Sequence, residues 1–182
     1  MPLPPLVKYE TSAQYRQHYE RVYCRGKIQT PDEIRVYFDA KKFDHAFYES
    51  AGWDGRKDTF SEVRAQRIDW IQATLTHPDA TLFQGWNKTA GQVDATRRVA
   101  VVYEDFVVVI ALSLKQDLAL RANFITCYQA DSSIGKIQSS PTWSREECIR
   151  SLTKAKWQTK KAADSLRGFS GRDLDRFKAD RQ

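Results

Sequence analysis

The spacing of hydrophobic positions changes character once along the chain, near Pro78. Before it, apolar residues mostly recur at helical intervals; after it, they alternate or run continuously. In "TSAQYRQHYERVYCRGK", Tyr15, Tyr19, Val22 and Tyr23 fall three or four apart, predicting a helix over about 12–25 that Gly26 ends. "EIRVYFD" (33–39) puts Ile34, Val36 and Phe38 on alternate positions, a strand pattern, although Thr30-Pro31 with Glu33 would also open a helix. "AKKFDHAFYESAGW" predicts a short helix ended by Gly52, and "GRKDT" a turn. The segment "TFSEVRAQRIDWIQATLTHPD" (59–79) predicts one amphipathic helix, opened by the capping box Thr59-x-x-Glu62 and closed at His77-Pro78.

After Pro78 the composition turns β-rich. Strands are predicted at 80–86, 97–105, 106–115 and 121–131, with the second and third forming a tight hairpin about Glu104-Asp105. "NKTAGQVDAT" and "SSIGKIQSSPT" read as loops. A helix follows from Trp143 to about Leu166, broken by Gly168 and Gly171, and "RDLDRFKADRQ" is a short last helix or a frayed end. The predicted fold class is α+β: N-terminal helices packed on a four-stranded antiparallel β-meander, with a basic helical C-terminal segment. Boundaries fall at 1–30 for an N-terminal helical extension, 31–133 for the main domain and 141–182 for the basic segment.

One residue resists the amphipathic pattern. At 100° per residue, Phe60, Ile68, Ile71 and Leu75 lie within about 40° of Arg64, so a guanidinium sits on the apolar stripe. A buried guanidinium must be paired, because it cannot lose its charge cheaply. It can snorkel to solvent, pair with an acid such as Asp39 or Asp44, or face a cleft and meet an anion.

Composition narrows the classes. The chain has 182 residues, 41% of them hydrophobic, enough for a real core. No run approaches membrane-spanning length, and "MPLPPLVKYE" lacks the basic start and apolar stretch of a secretory signal. Cys24, Cys127 and Cys148 are odd in number and widely spaced, which fits neither a disulfide framework nor a zinc site and suggests a reducing, cytoplasmic setting. With three histidines (His18, His45, His77) and eight scattered glycines, neither a metal nor a phosphate-cradling Gly-rich loop is expected, and no cofactor. The net charge of +6 is concentrated at the C-terminus, where residues 141–182 hold eleven Lys/Arg against six Asp/Glu. Such a surplus favours polyanionic partners, nucleic acid first.

The order of "FDHAFYES", "RAQRIDWIQATLTHPDATLFQGW", "RRVAVVYEDFVVVIALSL" and "NFITCYQAD" resembles the phage-associated branch of the barnase–EndoU–colicin–RelE nuclease superfamily over roughly residues 33–131. The resemblance implies a nuclease domain over 31–133. It also implies RNA cleavage without metal, in a toxin or phage-related effector that a neutralising antitoxin or immunity protein could hold in check. That chemistry needs a base for the ribose 2′-hydroxyl, an acid for the leaving 5′-oxygen, and donors for the charge developing at phosphorus. The candidates are His45 as base, Arg64 and Thr126 as phosphate stabilisers, and Tyr128 on the face that Thr126 shares. Arg67, Lys41, Lys42, Arg98 and Trp86 are candidate substrate contacts, Trp86 by stacking on a base. Each has a plainer reading: strand packing for Thr126 and Tyr128, solvated lysines, and a core position for Trp86 and Tyr103. His77 is expected to serve the helix end, and His18 lies outside the matching segment. The alternative function is a non-catalytic nucleic-acid-binding or adaptor protein on the same fold. A weaker one is an interaction module docking through the aromatic N-terminal helix.

Overall fold

The computed structural model describes residues 2–50, 58–87, 89 and 91–169. The expected stop at Gly52 and the segment from Gly171 onward lie outside the described residues, as does most of the "GRKDT" turn.

The N-terminal lead is followed by α1 (Ser12–Tyr19), which continues as a π-helical turn (Glu20–Cys24). Thr11 and Gln14 form a reciprocal capping box at its start. Gly26 ends it, because a side chain there would strike the Val22 carbonyl. Next come β1 (Ile28–Gln29), β2 (Arg35–Tyr37), α2 (Lys42–Phe47), β3 (Tyr48–Glu49) and β4 (Thr59–Phe60). Two short helices follow, α3 (Glu62–Ala65) and α4 (Trp70–Thr76). The β-rich half holds β5 (Thr81–Phe83), β6 (Gly85–Asn87), β7 (Gln92–Asp94), β8 (Val99–Tyr103), β9 (Phe106–Leu114) and β10 (Leu120–Gln129). The helices α5 (Ile134–Gln138) and α6 (Arg145–Phe169) close the described chain.

The fold is α+β, but the predicted four-stranded antiparallel meander is wrong. The main sheet has six strands in the order β1-β2-β10-β9-β8-β5 and is mixed, since β2 runs parallel to β10. Parallel neighbours need a crossover, and here that crossover is everything between β2 and β10, so no local pattern announces the pairing. The expected strand 80–86 is divided between β5 in the main sheet and β6, which forms a separate two-stranded sheet with β7 inside the expected loop 87–96. The hairpin does form as β8–β9, with Tyr103 opposite Phe106 and Glu104 in the left-handed region at φ 52°. The expected loop 132–142 contains α5, and α6 runs through Gly168 unbroken.

The single helix expected over 59–79 is also corrected. Thr59 and Phe60 pair with Glu49 and Tyr48 as strands, so the Thr59–Glu62 capping box does not form. Residues 66–69 are turns between α3 and α4, bonded by tighter three-residue steps such as Ile68 N–H to the Ala65 carbonyl at 3.0 Å. Long-range donors take the carbonyls that a continuous helix would use. Val7 N–H donates to Gln66 O at 2.8 Å, and the Tyr23 hydroxyl donates to Ile68 O at 2.6 Å.

The principal core lies between one face of the sheet and the helices. Tyr15, Tyr19 and Tyr23 of the first helix are buried in it with Phe43, Phe47 and Phe124. The aromatic face once expected to be free for docking is therefore interior. Leu3 and Val7 of the N-terminal lead pack on the same core, and the Trp70 indole donates to the Pro4 carbonyl at 2.7 Å. A smaller cluster lies on the other sheet face, where Phe83, Ala100, Val102, Val107 and Val109 meet Ile134 and Ile137 of α5. Beyond β5, Thr142 bridges Phe83, and Trp143 N–H donates to Leu82 O at 2.8 Å, which closes that edge. No helix among the described residues is long and apolar enough to cross a membrane.

Candidate functional site

The site grows out of an irregularity in β10. Leu120, Ala122 and Phe124 point into the principal core, as period two requires. The β9 register then slips by one residue between Phe124 and Thr126, and the next core residue is Cys127. This bulge reverses the parity of the strand. Without it, Thr126 and Tyr128 would continue into the core; with it, both are turned into a cavity. β2 pairs only with Arg121–Asn123, so the C-terminal half of β10 extends past that neighbour, where α2 packs on it. Phe43, Ala46 and Phe47 of α2 enter the principal core. His45, on the exposed side of the same helix, lines a cavity whose floor is the opposite sheet face.

That cavity has a volume of about 410 Å³. Its polar rim brings together His45, Thr126, Tyr128, Arg98, Lys136 and Gln84, its apolar floor is Ala100, Val109, Ile125 and Ile137, and Trp86 stands at its mouth. Five of the residues singled out in the sequence therefore meet here. Trp86 is 55% exposed, so its core reading is incorrect. Lys136 and Gln84 were missed. Lys136 was hidden because 132–142 read as a loop, although Ile134 and Ile137 carry the i, i+3 spacing of a helix face. Gln84 is buried and donates through Nε2 to Glu147 Oε2 at 2.9 Å, tying the cavity wall to the start of α6.

Two devices hold Arg98 in place. A Cβ on Gly85 would lie 2.3 Å from the carbonyl oxygens of both Arg97 and Arg98, so only glycine permits β6 to pass so close. Arg98 itself has φ 55°, a strained value for a residue with a side chain. Asp94 organises the preceding turn by accepting from Thr96 N–H (2.8 Å), Thr96 Oγ1 (2.6 Å) and Arg97 N–H (3.2 Å). Partial burial works against its charge, but these bonds and that from Asn87 outweigh it, and the carboxyl sits below its ordinary pKa.

Arg64 does not enter the His45 cavity. Its Nε meets Glu49 Oε1 at 2.7 Å, so the acid that pairs with it is neither Asp39 nor Asp44. Asp44 instead pairs with Arg16, and Asp39 caps Lys41 N–H at 2.9 Å. The Arg64–Glu49 pair remains open to solvent, with side chains 31% and 48% exposed. It lines a second cavity of about 400 Å³ with Arg67, Ser61, Tyr128 and Asp131. Arg67 is committed to structure as well, donating to Val63 O at 2.5 Å and lying 5.1 Å over the Trp70 ring. Tyr128 lines both cavities. Burial raises its pKa while Arg64 pulls it down, the net being upward, so at neutral pH it keeps its proton and is a donor. A third cavity of about 190 Å³, with Arg97, Asn87 and Thr89, shares Trp86 and Arg98 with the first. The three form a chain whose centre is His45 and whose two ends carry arginines.

Lys41 and Lys42 line none of these cavities. His77 ends α4, accepts from Asp79 N–H at 3.2 Å and stacks on Tyr103 with ring centroids 3.6 Å apart. His18 is held between the Tyr9 hydroxyl (3.0 Å) and Asp69 (2.8 Å) in a separate surface depression. The thiols of Cys127 and Cys148 are buried and pushed up to about 12 and about 11 by desolvation, which makes them poor nucleophiles. Among the described residues no three His, Cys, Asp or Glu side chains cluster to hold a metal ion. No family model matches the chain, and neither does any curated protein or solved structure.

Proposed function

We propose that the protein is a metal-independent endoribonuclease acting as a toxin or phage-related effector. The observation that carries this reading is the His45 cavity. An imidazole, a threonine hydroxyl, a protonated tyrosine and two cations border one space, flanked by cationic cavities on both sides. A chain of such cavities suits a polymer with repeated phosphates better than a small anion. In the proposed step His45 takes the proton of the ribose 2′-hydroxyl, and the 2′-oxygen bonds to phosphorus. The bond from phosphorus to the 5′-oxygen breaks, and that oxygen takes a proton from Tyr128 or from the imidazolium. Arg98, Lys136 and Thr126 balance the charge growing on the phosphoryl oxygens. Arg64 and Arg67 serve the neighbouring phosphate rather than the reacting one. Action on RNA, together with free thiols, implies a cytoplasmic setting. A neutralising antitoxin or immunity protein would act by presenting acids to the same cations.

The test is cleavage of total RNA in EDTA, with 2′,3′-cyclic phosphate ends as product. His45→Ala and Arg98→Ala should each lose about 10²- to 10⁴-fold in rate with an unchanged circular dichroism spectrum. Undiminished cutting by both variants overturns the assignment. The pairing of Arg64 with Glu49 favours a second reading, a nucleic-acid-binding or adaptor protein that keeps the site's shape without turnover. In that case RNA binds with a steep salt dependence but stays intact.

A further inference from the structure

The described residue that most conflicts with its surroundings is Trp157. It lies on α6, 72% exposed, the most exposed of the large hydrophobic residues described. The helix has two halves. Cys148, Ile149 and Leu152 pack against the principal core, whereas every residue from Lys154 to Asp164 is exposed. At 100° per residue, Arg150, Lys154, Lys160 and Lys161 all fall within about 60° of Trp157 on the helix surface. One acid, Asp164, shares that sector. An indole set among four cations is a poor solvated face, since it leaves a large apolar ring in water, and a poor dimer seam, since like charges would meet. It has the composition of a stacking platform for single-stranded nucleic acid, where the ring takes a base and the cations take successive phosphates.

Its placement fits that occupant. Glu147 of α6 is bonded to Gln84 in the wall of the His45 cavity, and Trp157 lies ten residues further on, about 15 Å along the helix axis. A strand leaving the cavity can therefore continue onto the helix. We infer that the exposed half of α6 is a single-strand-binding arm, with Trp157 stacking on a base and Arg150, Lys154, Lys160 and Lys161 holding the backbone. That the strand is RNA rests on the endoribonuclease reading; that it is a single-stranded polyanion does not.

The experiment uses the full chain and a fluorescent 20-nucleotide oligothymidylate, which has no 2′-hydroxyl and so cannot be cut by the proposed chemistry. Anisotropy should give a Kd that Trp157→Ala weakens roughly 5- to 100-fold and Trp157→Phe changes less than about threefold. In the Lys154→Gln/Lys161→Gln double variant, the slope of log K against log salt should become shallower by about 1.4, two phosphates at about 0.7 each. Unchanged affinity in Trp157→Ala overturns the arm. So does displacement of the oligonucleotide by polyglutamate at the same charge concentration as by oligouridylate, since that is the behaviour of a surface for acidic protein. Binding that persists in a protein without RNA turnover sinks the nuclease and leaves the arm. Turnover without Trp157-dependent binding does the reverse.

Discussion

At the scale of single residues, the site depends on groups that never touch a substrate. Gly85 and Asp94 hold the 94–98 turn from two sides, and the turn presents Arg98. Gly85→Ala should force the strand away from the Arg97 and Arg98 carbonyls, costing about 1–3 kcal/mol in urea unfolding and lowering RNA cleavage at the same time. A fully stable, fully active Gly85→Ala protein would show that the turn is not held this way. Asp94 gives a prediction with a sign. Its folded pKa is below the ordinary 3.8, so its contribution to stability is fully present above that value and is lost as pH falls from 3.8 through the lower folded value. Asp94→Asn should therefore flatten the acid limb of a stability–pH curve there, and an unaltered limb would remove Asp94 as a cause. The Arg64–Glu49 pair is partly open to solvent, so its loss should cost under about 1 kcal/mol. Glu49→Gln is expected to leave the unfolding midpoint nearly unchanged while tightening RNA binding, because it frees Arg64 for phosphate. Weaker binding in that variant would mean that Arg64 faces no substrate.

At the scale of elements, what is legible in the sequence is what is local. The tyrosines of the first helix, the alternation of Ile34 and Val36, the β8–β9 hairpin and the last strand are written in spacings of two to four residues, and all are present. Distant partners decide the rest. The helix over 59–79 looks continuous because Phe60, Ile68, Ile71 and Leu75 share a stripe. It breaks because donors from residues 7 and 23 capture its carbonyls, and neither is visible in the segment itself. The parallel β2–β10 pair and the bulge after Phe124 are equally invisible. The spacing of Thr126 and Tyr128 correctly puts them on one face, but only the bulge decides that this face is a cavity rather than the core. Arg64 was read from a helical wheel that does not extend unbroken to either side of it, and so it faces Glu49 rather than His45. Tyr23→Phe tests the cause of the break. It deletes the only bond recorded to the Ile68 carbonyl and leaves that group buried, so it should destabilise by about 1–3 kcal/mol without loss of apolar area. A neutral substitution would mean that the carbonyl finds another donor.

At the scale of the whole molecule, the boundary that matters falls inside α6 rather than before it. Charge alone suggested that residues 141–182 form a separable basic segment, yet its first dozen residues are structural. Thr142 bridges the β5 edge, Trp143 packs on the principal core and donates to Ala95 O at 2.9 Å, and Cys148 is wholly buried. A chain ending at Ser140 exposes these contacts together with Ile149 and Leu152. At about 25 cal/mol per Å² of apolar surface, that should lower stability by several kcal/mol. A chain ending at Thr153 discards only exposed residues among those described, and should unfold at the same denaturant midpoint as the full protein. The pair of truncations separates two effects that a cut before the basic segment would confound. Ending at Thr153 removes Trp157 and its lysines while the cavity wall, anchored by Gln84 and Glu147, stays in place. Oligothymidylate binding should then fall while the unfolding midpoint does not move. If the chain ending at Thr153 unfolds as early as the one ending at Ser140, the outer half of α6 is part of the folded body and its cations are not free to hold a strand.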